Sequence, residues 1–400
     1  MYSGRMSKLS NVRGFCRMVY LDNSATTPVC REAADKALYM MTDCFGNPSS
    51  LHSAGLAAER EREAARAAVA ALIGASAENL IFTSGGTEAN NLAILGGAAA
   101  RRRRGRHVVT TEVEHPSVST AFDALAEQGF EVTRLSPDPD GGLSVERLAA
   151  ACREDTVLVS VMTVNNETGA RFPVEEMAAA VRRVSPEALF HTDAVQAAGK
   201  LPLRVSRTEI DLLSLSGHKL HAPKGSGALY IRKGVRLLPR QLGGGQERGL
   251  RSGTEAMPAI AAFGAAAAAA LPPERLLAHC EALRQRLLAG LADLPEVRTH
   301  LPAMGVPYIV NVSLPGIRSE TMLHFLAQRD IFVSSGSACA KGAQSPVLRA
   351  MGLPAAEIDS ALRISFGRYN TEEDIDRFLE AFRDAARTLT RAGGFRRPVR

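Results

Sequence analysis

The chain has 400 residues, 46% hydrophobic and 22% charged, the balance of a water-soluble protein with room for one large domain and a smaller one. Its 48 Lys and Arg against 42 Asp and Glu leave a formal charge of +6, concentrated in the Arg-rich stretch 101–106 and at the carboxyl terminus. No Trp and 5% aromatics exclude a base-stacking platform interleaved with cations, and the longest weakly apolar run, residues 256–271, is mostly Ala and contains Pro258, so neither nucleic acid nor a membrane is an expected partner.

Residues 1–19 read as a poorly ordered N-terminal extension, since Arg5, Lys8, Arg13 and Arg17 enclose no apolar core and so do not form a secretory signal. The six cysteines are scattered, with no CxxC pair, which points to reduced thiols and a cytoplasmic setting. Residues 54–73 carry a charged, Ala-rich helix pattern closed by Gly74, residues 80–83 a short apolar strand, and residues 87–101 a helix ending on basic residues. Strands follow at 107–111, 130–135, 156–164, 189–192, 212–215 and 228–231, with helices starting at Ser117, Ser144 and Val174. This alternation predicts an α/β fold around a mainly parallel sheet, and the missing helix between the last two strands predicts one antiparallel member.

After the Gly-rich stretch 243–253, helices are predicted at 256–271 and 274–291, divided by Pro272-Pro273. That break sets the expected domains: 20–271 as the large one, whose first residues can pack on the other, and 272–400 as a small α+β domain. In the latter, strands are expected at 309–313, 331–334 and 361–366, with helices from Ser319 and Glu372.

Four groups of chemically capable residues stand at predicted strand exits. Ser84-Gly85-Gly86-Thr87-Glu88 opens a helix with two glycines and a hydroxyl, a pattern able to hold a phosphate and equally readable as a plain glycine turn. Ser216-Gly217-His218-Lys219 places an amine beyond a strand end, where α/β proteins bind ligands, although any one Lys is usually a solvated surface group. Asp193, followed three residues later by Gln196, is placed to face a cationic ring nitrogen or simply to cap a helix. His115 precedes Pro116 at the mouth of a helix, as a ligand-facing imidazole or a satisfied structural one. Together they supply what pyridoxal 5'-phosphate (PLP) catalysis requires: an amine for a Schiff base, an acid for the ring nitrogen and a phosphate cradle. His218 and His221 lack a third metal ligand, so no metal is expected. Cys339 lies among Gly and Ser residues beside Lys341, a setting that favours an exposed, reactive thiol, whereas the other five cysteines are expected as small buried hydrophobes.

The motifs Tyr20-Leu21-Asp22-Asn23-Ser24-Ala25-Thr26-Thr27, Thr83-Ser84-Gly85-Gly86-Thr87-Glu88-Ala89-Asn90-Asn91, Val164-Asn165-Asn166-Glu167-Thr168-Gly169, Asp193-Ala194-Val195-Gln196, Ser216-Gly217-His218-Lys219, Arg251-Ser252-Gly253-Thr254-Glu255 and Ser335-Gly336-Ser337-Ala338-Cys339 run in order along nearly the whole chain. In this order the sequence resembles the PLP-dependent cysteine desulfurases of the nitrogen-fixation and iron-sulfur-cluster type. The resemblance implies PLP-dependent transferase fold type I, with a mainly parallel seven-stranded sheet flanked by helices and a smaller α+β domain. It implies Lys219 as the Schiff-base lysine, Asp193 on the pyridine nitrogen, Gln196 on the ring oxygen and His115 stacked on the ring. Gly86, Thr87, Ser216 and His218 would hold the phosphate, with Thr254 reaching the neighbouring subunit's phosphate in a homodimer. Asn166 and Arg363 would receive the substrate carboxylate. L-cysteine would become L-alanine, with its sulfur left as a persulfide on Cys339 for an iron-sulfur scaffold or another acceptor protein.

Two departures from the family pattern stand out. Ala222 occupies a position usually held by Gly and would be strained if the backbone there required φ > 0, and the stretch after Cys339 is short, which bears on its reach to a scaffold. The competing readings are an aminotransferase or carbon-sulfur lyase that forms no persulfide, and a non-catalytic sulfur-carrier partner.

Overall fold

The structure is a computed structural model and describes residues 18–335 and 344–392. The first elements are strand β1 (Val19–Tyr20) and helices α1 (Arg31–Thr42) and α2 (Ser53–Ala71). The large sheet is built from β2 (Leu80–Thr83), β3 (His107–Thr111), β4 (Glu131–Leu135), β5 (Thr156–Ser160), β6 (Leu189–Asp193), β7 (Leu212–Ser216) and β8 (Gly227–Ile231). Between these strands run α3 (Gly86–Asn91), α4 (Gly97–Arg101), α5 (Pro116–Glu127), α6 (Val145–Ala151) and α7 (Val174–Val184). Helices α8 (Met257–Ala268) and α9 (Pro273–Leu291) lead to β9 (Arg298–Thr299), β10 (Ile309–Ser313), α10 (Ser319–Ala327) and β11 (Ile331–Phe332). The described chain closes with α11 (Pro346–Ala350), α12 (Ala355–Asp359), β12 (Ala361–Ser365) and α13 (Glu372–Ala392).

The seven strands lie in the order β2-β8-β7-β6-β5-β3-β4, and β8 alone runs against its neighbours, as the missing crossover helix predicts. Continuous burial of β2, β3, β5, β6, β7 and β8 follows from runs of Val, Leu, Ile and Phe covered on both faces by helices. Edge strand β4 instead carries Glu131 and Arg134. Charged residues are one way natural sheets discourage edge-to-edge pairing. Because six strands share a direction, the carboxyl ends of β2, β3, β5, β6 and β7 open onto one edge of the sheet, where open α/β folds bind ligands.

A second, antiparallel sheet of order β12-β10-β9 is formed from the carboxyl-terminal part, and β1 pairs in parallel with β11. Several predicted boundaries shift. The strand expected at 156–164 stops at Ser160, although Val161 N and Thr163 N still donate to His191 O and Asp193 O of β6, and the strand expected at 331–334 ends at Phe332. The helix expected at 87–101 widens into a π turn at Leu92–Gly96, where a Cβ on Gly96 would lie 2.6 Å from Leu238 O. Helix α1 was not anticipated, because its apolar residues mix with charges without a clean stripe.

The Gly-rich stretch after β8 is pinned to the sheet by a buried ion pair. Arg66 on α2 donates to both carboxylate oxygens of Glu247, at 2.7 and 2.9 Å, and Phe82 N donates to Glu247 Oε2 at 2.9 Å. Glu247 and Arg248 both have left-handed backbone conformations, φ 47 and 60, which such anchoring helps to hold. Arg66→Met would strand the Glu247 carboxylate in the interior, and removal of one partner from a buried pair costs about 3–5 kcal/mol. The expected outcome is a clearly lower urea midpoint by circular dichroism; an unchanged midpoint would show that the pair does not hold the stretch.

Candidate active site

The phosphate-type cradle forms where β2 hands over to α3. Gly85 is extended, with nothing within 4 Å of where its Cβ would stand, while a Cβ on neighbouring Gly227 of β8 would lie 2.6 Å from Gly85 Cα. A Cβ on Gly86 would sit 2.8 Å from Val195 Cγ2 and 3.5 Å from Ser216 Cβ, so glycine is what lets the β2, β6 and β7 exits come this close. The helical run continues through the π turn to Arg101, leaving the first-turn N–H groups of Gly86 and Thr87 for an anion. Ser84 N donates to Glu88 Oε2 at 2.7 Å, and Arg251 pairs with the same carboxylate, tying the cradle to the Gly-rich stretch.

Asp193 ends β6 and is 5% exposed. Its Oδ1 accepts from Val195 N at 2.9 Å and its Oδ2 from Asn90 Nδ2 at 2.7 Å. The same Asn90 nitrogen donates to Ser117 Oγ at 2.8 Å, and Ser117 Oγ lies 2.8 Å from His115 Nδ1. Because Ser117 N also donates to Nδ1, that nitrogen is unprotonated and the neutral imidazole carries its hydrogen on Nε2. Burial lowers the His115 pKa, the Asp193 charge opposes this, and Lys219 reinforces it, so the neutral form prevails. Asn90 and Ser117 complete a relay from carboxylate to imidazole that sequence reasoning missed; the only hint was Ser117 standing two residues after His115.

Lys219 closes a 3-10 turn directly after β7. Its Nζ donates to the backbone carbonyls of Ser24 and, at 2.7 Å, Ala25. Burial, with Lys200 and Arg363 nearby, brings its pKa down to about 7 despite Asp22 and Asp193. Gln196 Nε2 donates to the same Ser24 carbonyl at 2.9 Å. His218 meets Thr26 Oγ1 at 3.2 Å through Nδ1, and burial beside three lysines lowers it to about 4. Ser216 is buried at the end of β7, whereas Thr87 is exposed at the cradle. The expected strain at Ala222 is absent: the left-handed residue is its neighbour His221, φ 63, whose Nδ1 lies 2.9 Å from Pro28 O.

Arg363 reaches the site from β12. It is 4% exposed, donating through Nη1 to Asn166 O at 2.9 Å and through Nη2 to Asp22 Oδ1 at 2.8 Å, while its buried Nε has no acceptor. Asn165 shapes the turn beneath, its Oδ1 accepting from Glu167 N and Thr168 N at 2.9 Å each. Ser334 and Arg363 exchange backbone hydrogen bonds, and Ser345 Oγ donates to Glu167 Oε2 at 2.5 Å, so the described residues on either side of Cys339 are held against the Asn166–Arg363 corner. Burial raises Glu167 to about 7. Cys339 itself lies outside the described residues, as does Cys16. Cys30, Cys44, Cys152 and Cys280 are free and buried, as expected for small hydrophobes. Thr254 is exposed just before α8 and is not hydrogen-bonded to the described residues of the Lys219 cluster.

A near-neutral buried amine, a buried carboxylate with two fixed donors, a neutral imidazole and a glycine cradle at one sheet edge fit a phosphorylated aldehyde with a basic ring nitrogen. The comparisons agree with that class. The profile described as Aminotransferase class-V matches residues 19–378. The chain belongs to this family, whose cofactor is PLP, and within it to the cysteine desulfurases. It is 46% identical to the cysteine desulfurase IscS of Anaeromyxobacter sp. (strain Fw109-5), covering 93% of each chain. It is 43% identical to that of Methanosarcina thermophila, covering 95% of this chain and 94% of the other. Among solved structures, a NifS-like protein superposes with TM-score 0.87 at 38% identity, covering 93% of this chain and 99% of that one. A structure described as SspA in complex with cysteine gives 0.78 at 34%, covering 88% and 99%.

With the Lys219 pKa lowered, its amine becomes increasingly neutral as pH rises through about 7. Capture of added PLP by the cofactor-stripped protein, followed by visible absorbance, is expected to accelerate through that point and then level off. A rate indifferent to pH there would contradict a depressed amine.

Proposed function

We propose that the chain is a PLP-dependent cysteine desulfurase converting L-cysteine to L-alanine, with the sulfur passing to Cys339 and from there to an iron-sulfur scaffold or another acceptor protein. The observation that carries this reading is the meeting of Lys219, Asp193 and His115 at one sheet edge with Arg363 arriving from the second sheet. When bound, the cofactor supplies an aldehyde that combines with amines and a ring that accepts electrons from the substrate Cα.

Gly86, Thr87, Ser216 and His218 would hold the phosphate, Asp193 the ring nitrogen and Gln196 the ring oxygen. Arg363, with Asn166, takes the substrate carboxylate; its guanidinium suits a planar two-oxygen partner, and its unsatisfied Nε is a donor in reserve. Lys219, with a pKa near 7, both accepts and returns the Cα proton at neutral pH. His115 holds its proton on Nε2, backed by Ser117, and manages the substrate thiol. The Cys339 thiolate attacks the substrate sulfur: a sulfur-sulfur bond forms, the carbon-sulfur bond breaks, and the freed electron pair takes up a proton to leave the methyl group of alanine.

A homodimer is part of this proposal. Leu38 and Met41, on one face of α1, are 56% and 58% exposed, and Phe45 and Leu242 are 74% and 81% exposed, an apolar set that favours burial against a second copy. Thr254, exposed beside α8, is then free to reach the partner's phosphate. We also place the protein in the cytoplasm on its free, buried cysteines, and the domain boundary at 271/272 on the proline pair before α9.

Incubation with L-cysteine and a reductant is expected to yield alanine and sulfide in equal amounts; alanine-free pyruvate with sulfide would instead indicate a lyase. Cys339→Ser should keep the visible cofactor absorbance and lose sulfide release. Undiminished turnover would exclude the persulfide route. Arg363→Lys, which loses the two-pronged donor, is expected to raise KM for cysteine by about tenfold or more with a smaller effect on kcat. An unchanged KM would remove Arg363 from substrate binding.

A further inference from the structure

Lys200 has no part in the chemistry above, yet the fold buries it to 8% exposure beside Lys219. Its Nζ lies 3.3 Å from Gln196 Oε1 and 5.1 Å from the centroid of the Tyr308 ring, whose hydroxyl donates to Gln196 O at 2.8 Å. These described contacts give the ammonium no carboxylate partner. Burying an unneutralised cation is costly, and packing alone offers a longer apolar side chain no reason to be a lysine.

The contact fixes the Gln196 amide. With Oε1 taken by Lys200, the amide nitrogen is left for the Ser24 carbonyl, the same oxygen that accepts from Lys219 Nζ. The oxygen and nitrogen ends of an amide are nearly equal in shape, so only its partners decide which way it faces. Lys200 and Lys219 also line one cavity with Arg368, and no carboxylate is among its lining residues.

We propose that Lys200 is a positioning residue for Lys219: its ammonium sets which end of the Gln196 amide faces the shared Ser24 carbonyl, and its charge in the common cavity disfavours a second cation on Lys219. This rests on the reading of Lys219 as the cofactor-binding lysine. Among the surrounding charges Lys200 has the largest share, second to burial. Around Lys219, Arg363 from β12 also disfavours the proton, while Asp22 and Asp193 favour it. His218 and His221 are pushed to about 4 by burial and are neutral at physiological pH. Facing Lys200 from α9, Cys280 is pushed up to about 12 and is uncharged, and burial likewise raises the Tyr308 hydroxyl, which keeps its proton. Burial first, then Arg363, brings Lys200 itself to about 8, so it carries most of a charge near neutrality.

The test is a pH titration of the visible absorbance of the holoenzyme, with melting temperature recorded alongside. Removing the cation in Lys200→Met should move the midpoint to higher pH by about one unit, tenfold in the proton equilibrium, and Lys200→Arg should restore it. If Lys200→Met does not fold, Lys200→Gln keeps a donor for Gln196 without the charge and should show the same upward movement. A folded variant lacking the charge but titrating at the wild-type midpoint would overturn the proposal. A wild-type protein with no visible absorbance after PLP is supplied would overturn the reading of Lys219 beneath it.

Discussion

The backbone carbonyl of Ser24 joins the two sheets at the reactive lysine. It accepts from Lys219 and Gln196, which both belong to loops leaving the large sheet, while Ser24 N donates to Ser365 Oγ at the end of β12 in the small one. Residues around it repeat the pattern. Asn23 donates to Ser365 O and Asn370 Oδ1, Asp22 accepts from Arg363, and Thr27 donates to His218 O. A single segment, turned at residues 23–25, thus sets the distance between the strand ends that would hold the cofactor and the arginine that would hold the substrate. Move that segment, and the two halves of the site lose their common reference.

Electrostatics then follows from depth. Three cations, Lys200, Lys219 and Arg363, converge where water is scarce, against Asp22 and Asp193. Of the three, the guanidinium does not give up its proton, so the lysines absorb the imbalance. Burial also keeps His115, His218 and His221 neutral, so the site's imidazoles offer hydrogen bonds rather than charge. The result is an amine held near neutrality by burial first and, among its charged neighbours, by Lys200 ahead of Arg363.

Much of this could be read from the amino-acid order, because the chemistry sits at strand exits and strands announce themselves. The runs at 80–83, 107–111 and 212–215 became β2, β3 and β7 with little change, and each delivers its motif to the expected edge. What stayed hidden depends on distances across the fold. Asn90 and Asp193 are 103 residues apart, and nothing local marks Asn90 as the link to Ser117. Lys200 reads as one more surface lysine until the Tyr308 ring is seen beneath it. At Ala222 the family pattern pointed one residue too far, since the left-handed turn falls on His221, whose ring is held by Pro28 O and stands edge-on to Tyr369. Helix α1 escaped notice because its buried residues, Ala33 and Met40, are too few to make a stripe.

The joint at Ser24 also bears on how the protein matures. The segment that carries it is made 342 residues before the Ser365 carbonyl that accepts from Asn23. Contacts of such long sequence separation close late and slow the search for the native state. A large sheet already folded would still lack a seat for Lys219 until the final strand docks. A polypeptide that stops before β12 therefore lacks the Ser365 contacts that hold the Ser24 segment beside Lys219.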